Sequence, residues 1–238
     1  MKKTLLILTA LCIVFMHGMP CTKADASGEE LKLTLPIEGS WRPADESQAS
    51  FTYRLPQFET DHDNAVQINQ FYQQFFSREN NTRNFETVSG VDFELTCLDE
   101  RYASVVLHWS AEAGQGMREE ITADTFALDG IYAGEKITLS QLLGLEEMND
   151  GQRLDETVWQ LVWQIVQREM QNAEGDYLGN LTQQDVTKAL QPETDFYLDE
   201  NGNIRFYVQA GLLAGEIAGV LTFPFAPSEL LDTLSAGL

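Results

Sequence analysis

Two apolar periods alternate along the chain, and the switches between them mark out its elements. Leu31, Leu33, Leu35 and Ile37 recur at every second residue and predict an early strand. Residues 51–58 read as another strand, ending near Pro56, which suits a strand end or an edge. From Ala65 the spacing widens. Ala65, Ile68, Tyr72, Phe75 and Phe76 share one helical face, with Asp61 and Asp63 as candidate caps. Three strand-like runs follow at 85–98, 102–111 and 119–128. The first sets Asp92, Glu94 and Thr96 opposite Val91, Phe93, Leu95 and Cys97. Short turns at Asp99-Glu100 and Gly114-Gln115-Gly116 predict antiparallel hairpins, a meander with one face against a helix.

The second half is more helical. Asp129-Gly130 and Gly134 mark a turn, and Thr138-Leu139-Ser140 opens a short helix reaching Leu145. Leu154, Val158, Leu161, Val162, Ile165, Val166 and Met170 then form a helical stripe with Trp159 and Trp163 beside it. Burying each such side chain is worth roughly 1.5–3 kcal/mol, so this helix is expected to lie across the sheet and anchor the core. Residues 182–190 read as a shorter helix capped by Thr182. Strand patterns at 195–198 and 204–208 flank Asn201-Gly202, a strong hairpin signal. The acidic residues of that turn do not make an EF-hand, because the glycine comes too early. A last strand at 217–223 is expected to stop at Pro224 and Pro227. The pattern predicts an α+β fold with antiparallel sheet and packed helices.

The ends and the charge add a compartment. Lys2 and Lys3 precede an apolar run from Leu5 to Met16, too short to span a bilayer, and Ala24-Asp25-Ala26 supplies a processing site. A signal peptide over residues 1–26 is expected, with lipidation at Cys21 or an uncleaved anchor as alternatives. A secreted or envelope-associated protein follows. Removing that segment, with three lysines and one aspartate, takes the formal net charge from −22 to −24. Such acidity excludes phosphate-backbone binding and disfavours nucleic acid and anionic membrane surfaces as partners. No later stretch is apolar enough for a span. A basic partner would be steered by this field, although acidity also serves plain solubility. Cleavage also removes Cys12 and Cys21, leaving Cys97 no intramolecular partner and predicting a buried structural thiol.

Candidate chemistry is sparse. His62 lies between two aspartates at a helix start, where capping explains the residues as well as a metal would. His108 sits in a strand between Leu107 and Trp109. Neither belongs to a nucleophile elbow or triad context, and no phosphate loop, dinucleotide fingerprint or paired-histidine zinc motif occurs. No catalytic, cofactor or metal residue can be named. A pair of carboxylates working as a hydrolase remains possible among 37 acidic residues, and spacing alone does not single one out.

Several segments together resemble one family. They are Tyr53-Arg54-Leu55-Pro56-Gln57-Phe58, Ile68-Asn69, Phe126 to Gly130, Ile137-Thr138-Leu139 and Leu142-Leu143. Asp195-Phe196-Tyr197-Leu198-Asp199, Gly202 and the run from Gly219 to Pro224 complete the set. Their order over about residues 45–232 resembles the RsiV-like extracellular domain, known from a lysozyme-sensing anti-sigma factor and from the non-catalytic domain preceding a peptidoglycan deacetylase. The resemblance implies two interlocked subdomains. On it, residues 27–44 are a linker and early strand, 45–128 an N-terminal subdomain and 129–232 a C-terminal RsiV-like subdomain. It also implies binding of lysozyme-like cationic proteins or of wall polysaccharide at the envelope. Three departures qualify the functional transfer. No sigma-binding segment with a true span precedes the domain, no deacetylase domain follows it, and Gln115 stands where relatives carry histidine. An envelope binding protein is therefore the first expectation. A wall-polysaccharide module using Trp41, Trp109, Trp159 or Trp163 is the second, and a carboxylate hydrolase the third. The turns at Gly114–Gly116 and Asn201-Gly202 are where binding loops are expected.

Overall fold

A computed structural model describes residues 31–41, 51–75, 88–113, 116–145 and 151–236. The expected leader at 1–26 and the turn residues Gly114 and Gln115 lie outside them, as do Phe76 and the side chain of Trp41.

Two sheets organise the chain. The larger has the order β1-β2-β3-β4-β5, formed by Ile37–Trp41, Phe51–Leu55, Val88–Leu98, Tyr102–Ala113 and Gly116–Ala127. β3, β4 and β5 are the expected antiparallel meander. β2 and β3 instead run parallel, with α1, Asp63–Gln73, between them in sequence. The smaller sheet, β6-β7-β8, is formed by Phe196–Leu198, Ile204–Val208 and Leu221–Phe225. Around it lie α2 (Leu139–Leu143), α3 (Gly151–Gln171), α4 (Gln183–Ala189) and α5 (Pro227–Ala236). The fold is α+β.

The two faces of the large sheet go to different partners. Phe51, Leu55, Val91, Val105, Leu107 and Trp109 meet Ile68, Tyr72 and Phe75 of α1 and its C-terminal turn in one core. Phe75 stacks on Trp109 with ring centroids 5.4 Å apart. The α3 stripe packs elsewhere than expected. Leu154, Val158, Val162 and Val166 join Phe196, Phe206, Phe223 and Phe225 of the small sheet in a second core, because α1 already covers the inner face of the large one. A third cluster, Val106, Ile121, Ala123 and Tyr207, joins the sheets across the outer face.

A bulge explains the fate of Cys97. The register steps from Leu95↔Val105 to Cys97↔Ser104, so Thr96 is the extra residue and Cys97 turns to the opposite face from Val91, Phe93 and Leu95. It packs in the second core. Cys97 is also disulfide-bonded, so it is not the free thiol expected from composition; its partner lies outside the described residues. The other two cysteines both precede residue 27.

Other boundaries differ for local reasons. The α1 cap is His62, whose Nδ1 accepts from Asn64 N at 3.2 Å, where Asp61 or Asp63 was expected. Leu33 makes an isolated bridge to Phe58, and the regular early strand starts at Ile37. Residues 216–218 form a 3-10 turn, so the last strand begins at Leu221 and runs through Pro224. β8 is an edge strand, where a missing N–H is tolerated. The helix α5 that follows was not foreseen.

Candidate functional site

The outer face of the large sheet is divided. Over β4 and β5 it is covered by the small sheet: Leu198 N donates to Ser104 Oγ at 3.0 Å, and Ser104 Oγ meets Thr125 Oγ1 at 2.9 Å. Over β1, β2 and β3 it is open. There a depression of about 660 Å³ is lined by Glu38, Thr52, Arg54, Asp92, His108 and Ser110, among others.

Its floor follows from strand alternation. Glu38 is register partner of Arg54, and Asp92 of His108, so their side chains line one face. Arg54 reaches Glu38 at 3.3 Å and Asp92 at 3.0 Å. His108 Nδ1 meets Glu119 at 2.7 Å, and its Nε2 lies 3.4 Å from Glu94. Four carboxylates thus surround two bases. All four remain available, with Glu38, Asp92, Glu94 and Glu119 keeping 63, 59, 64 and 61% of their side-chain surface exposed. At these exposures each ion pair stabilises the fold by at most about 1 kcal/mol. The inner face allows no substituent at Gly39, where a Cβ would collide with the Tyr53 hydroxyl.

Two parts of the second half border this face. In the β6–β7 hairpin, burial pushes the Tyr197 phenol pKa up; Arg205 opposes it, and the negative charges of Glu94 and Asp199 add to it. The hairpin turn is built on Asp199, whose carboxylate accepts from Asn201 N and Asn203 N, both at 3.0 Å, and from Arg205 Nε at 2.8 Å. Burial would raise its pKa, but those hydrogen bonds outweigh it and hold the group below the usual range. Gly202 takes φ +75°, which explains the Asn-Gly signal. This acidic turn is internally satisfied.

The other border is the segment after β7. Gln209 closes the β5 edge with one side chain, accepting from Ile121 N at 3.1 Å and donating to Ile121 O at 2.6 Å. Ile121 is the register partner of His108, so this loop stands beside the open face. Arg118 Nη2 donates to Ala210 O at 2.9 Å. Gln209 carried no recognisable signal in the sequence.

The remaining sequence candidates disperse. Trp109 is fully buried, and Trp159 Nε1 donates to Leu190 O at 2.9 Å from a half-buried position. Trp163 is half-buried against the second core. A perturbed acid does occur away from the open face. Burial first, and the charge of Glu193 second, push the Asp155 carboxyl up to about 6. Its Oδ1 is buried without a hydrogen-bond partner. Glu193 is held by Ser140, which donates to it from both N, at 3.0 Å, and Oγ. Neither acid lines the open face or the second depression, between α3 and β8. Among the described residues, no group of three His, Cys, Asp or Glu side chains is placed to hold a metal, and no helix is long and apolar enough to cross a membrane.

No family model matches the sequence, and no curated protein does. Among solved structures, the chain is similar to a member of the DUF3298 family from Bacteroides fragilis. That likeness has 8% identity and a TM-score of 0.42, and covers 85% of this chain and 97% of the other.

Proposed function

We propose that this is an exported, non-catalytic envelope protein that binds a basic protein, with lysozyme-like wall hydrolases as the model ligand class. The observation that carries the reading is the open face, where Glu38 and Asp92 line a shallow depression with Arg54 and His108, and Glu94 and Glu119 pair with His108 at its side. The chain's net charge of −22 extends that local field. A negative surface of this kind speeds encounter with a positive partner and supplies salt-sensitive affinity. The sequence resemblance supports the same ligand class. Wall polysaccharide fits less well, because stacking on sugar rings needs exposed aromatic faces and Trp109 is buried.

The test is a triple variant, Glu38→Gln, Glu94→Gln and Glu119→Gln, titrated with hen lysozyme beside a peptidoglycan pull-down. Removing three exposed charges is expected to weaken lysozyme binding about three- to tenfold at low salt, mainly through a slower on-rate. Unchanged affinity would remove the open face from the reading. Retention on peptidoglycan without lysozyme binding would replace it by the polysaccharide module.

A further inference from the structure

The small sheet has an open edge. Among the described residues β8 pairs with β7 alone, so the outer backbone groups of Leu221–Phe225 have no strand partner. An unpaired edge is a template for another extended chain. α3 lies beside it. Val158, Val162 and Val166 are buried in the second core, and Leu161, Ile165 and Arg168 follow one another at i, i+4 and i+7 on an adjoining strip of the same helix. That strip and every residue of β8 line one depression of about 530 Å³. A groove between an edge strand and a helix face fits an extended polypeptide. The edge supplies main-chain hydrogen bonds, and the helix face receives alternate side chains. Lipid tails and sugars offer no ladder of N–H and C=O groups, so the edge itself selects the class of ligand.

The two ends of the groove carry different charges. Tyr177 pairs with Ala214 in the loop leading into β8, and its hydroxyl donates to Glu169 at 2.6 Å, which occupies that carboxylate. Arg168, next to Glu169 on α3, is exposed, and among the described residues its guanidinium has no hydrogen bond or ion pair. At the other end Glu229 stands in the first turn of α5, which begins just after β8 stops, and its carboxylate is likewise exposed and unpaired among the described residues. Pro224 withholds one backbone donor, which keeps the ladder short and leaves the α3 side chains and the end charges to decide the fit. We infer that this groove binds an extended segment of another polypeptide as an added strand antiparallel to β8, with apolar side chains against Leu161 and Ile165, an acidic one at Arg168 and a basic one at Glu229. The antiparallel sense continues the pairing of β6 with β7 and of β7 with β8. The groove shares no lining residue with the open face, so the basic-partner reading and this one stand or fall separately.

The experiment selects binders to the purified protein from a display library of random short peptides, then titrates a synthetic peptide of the enriched group. The enriched peptides are expected to alternate apolar and polar residues, with a base toward the N-terminal end and an acid toward the C-terminal end. Affinity is expected to fall about tenfold on Arg168→Glu and to recover when the acid of the peptide is replaced by lysine. Arg168 is solvent-facing, and equal thermal midpoints confirm the fold of the variant. Two further peptides, each N-methylated on one alternate set of backbone nitrogens, are titrated against the wild type. The set that faces β8 is expected to lose about tenfold or more and the other set little, because only one set donates to the edge. No enriched peptide, affinity within about twofold of wild type on Arg168→Glu, or indifference to both N-methylated sets would overturn the inference.

Discussion

At Asn69 one side chain satisfies both backbone groups of a buried residue. Its Oδ1 accepts from Phe58 N and its Nδ2 donates to Phe58 O, each at 2.8 Å. Asn69→Leu keeps the branched outline of the side chain and strands both groups, so a loss of about 2–4 kcal/mol in urea unfolding is expected. A loss below about 0.5 kcal/mol would show that water reaches Phe58. Asp155 acts in the opposite sense. Its carboxyl is raised to about 6 from an ordinary value of 3.8, so the native state holds the proton more tightly than the unfolded chain does. The stability this contributes is present at low pH and is lost as the pH rises through about 6. Asp155→Asn should therefore be nearly neutral at pH 4 and stabilising by about 1 kcal/mol at pH 7.5, a figure reduced for solvent screening at a half-buried site. Equal effects at the two pH values would contradict it.

Most strands and helices of regular period were legible, and the failures have local causes. The meander, the α3 stripe and the Asn201-Gly202 hairpin follow from alternation, helical spacing and turn chemistry. The Thr96 bulge broke the alternation just where Cys97 was placed, and no residue at the bulge announces it. The partner of α3 was misread because periodicity shows which face of a helix is buried, without saying against what. The candidate site was less legible still. Glu38, Arg54, Asp92 and His108 are ordinary strand residues until the parallel pairing of β2 with β3 brings them onto one surface. Gln209 is an example of element-scale consequence. Gln209→Ala leaves the Ile121 N–H and C=O at the β5 edge without their side-chain cap, and faster hydrogen exchange at Ile121 is expected. Unchanged protection there would mean that the β7–β8 loop does not secure that edge.

For the molecule as a whole, the disulfide and the ligand are linked to separate measurements. Because Cys97 is disulfide-bonded, it should resist alkylation in the purified protein until it is reduced. Intact mass with and without reductant checks this. Alkylation of Cys97 without reductant would contradict the bond. The basic-partner reading is tested most directly by titrating the purified protein with hen lysozyme at low and at moderate salt. A saturable complex whose affinity falls as salt rises is expected, since the attraction comes from exposed carboxylates within screening distance of water. No binding at low salt, or binding indifferent to salt, would contradict it.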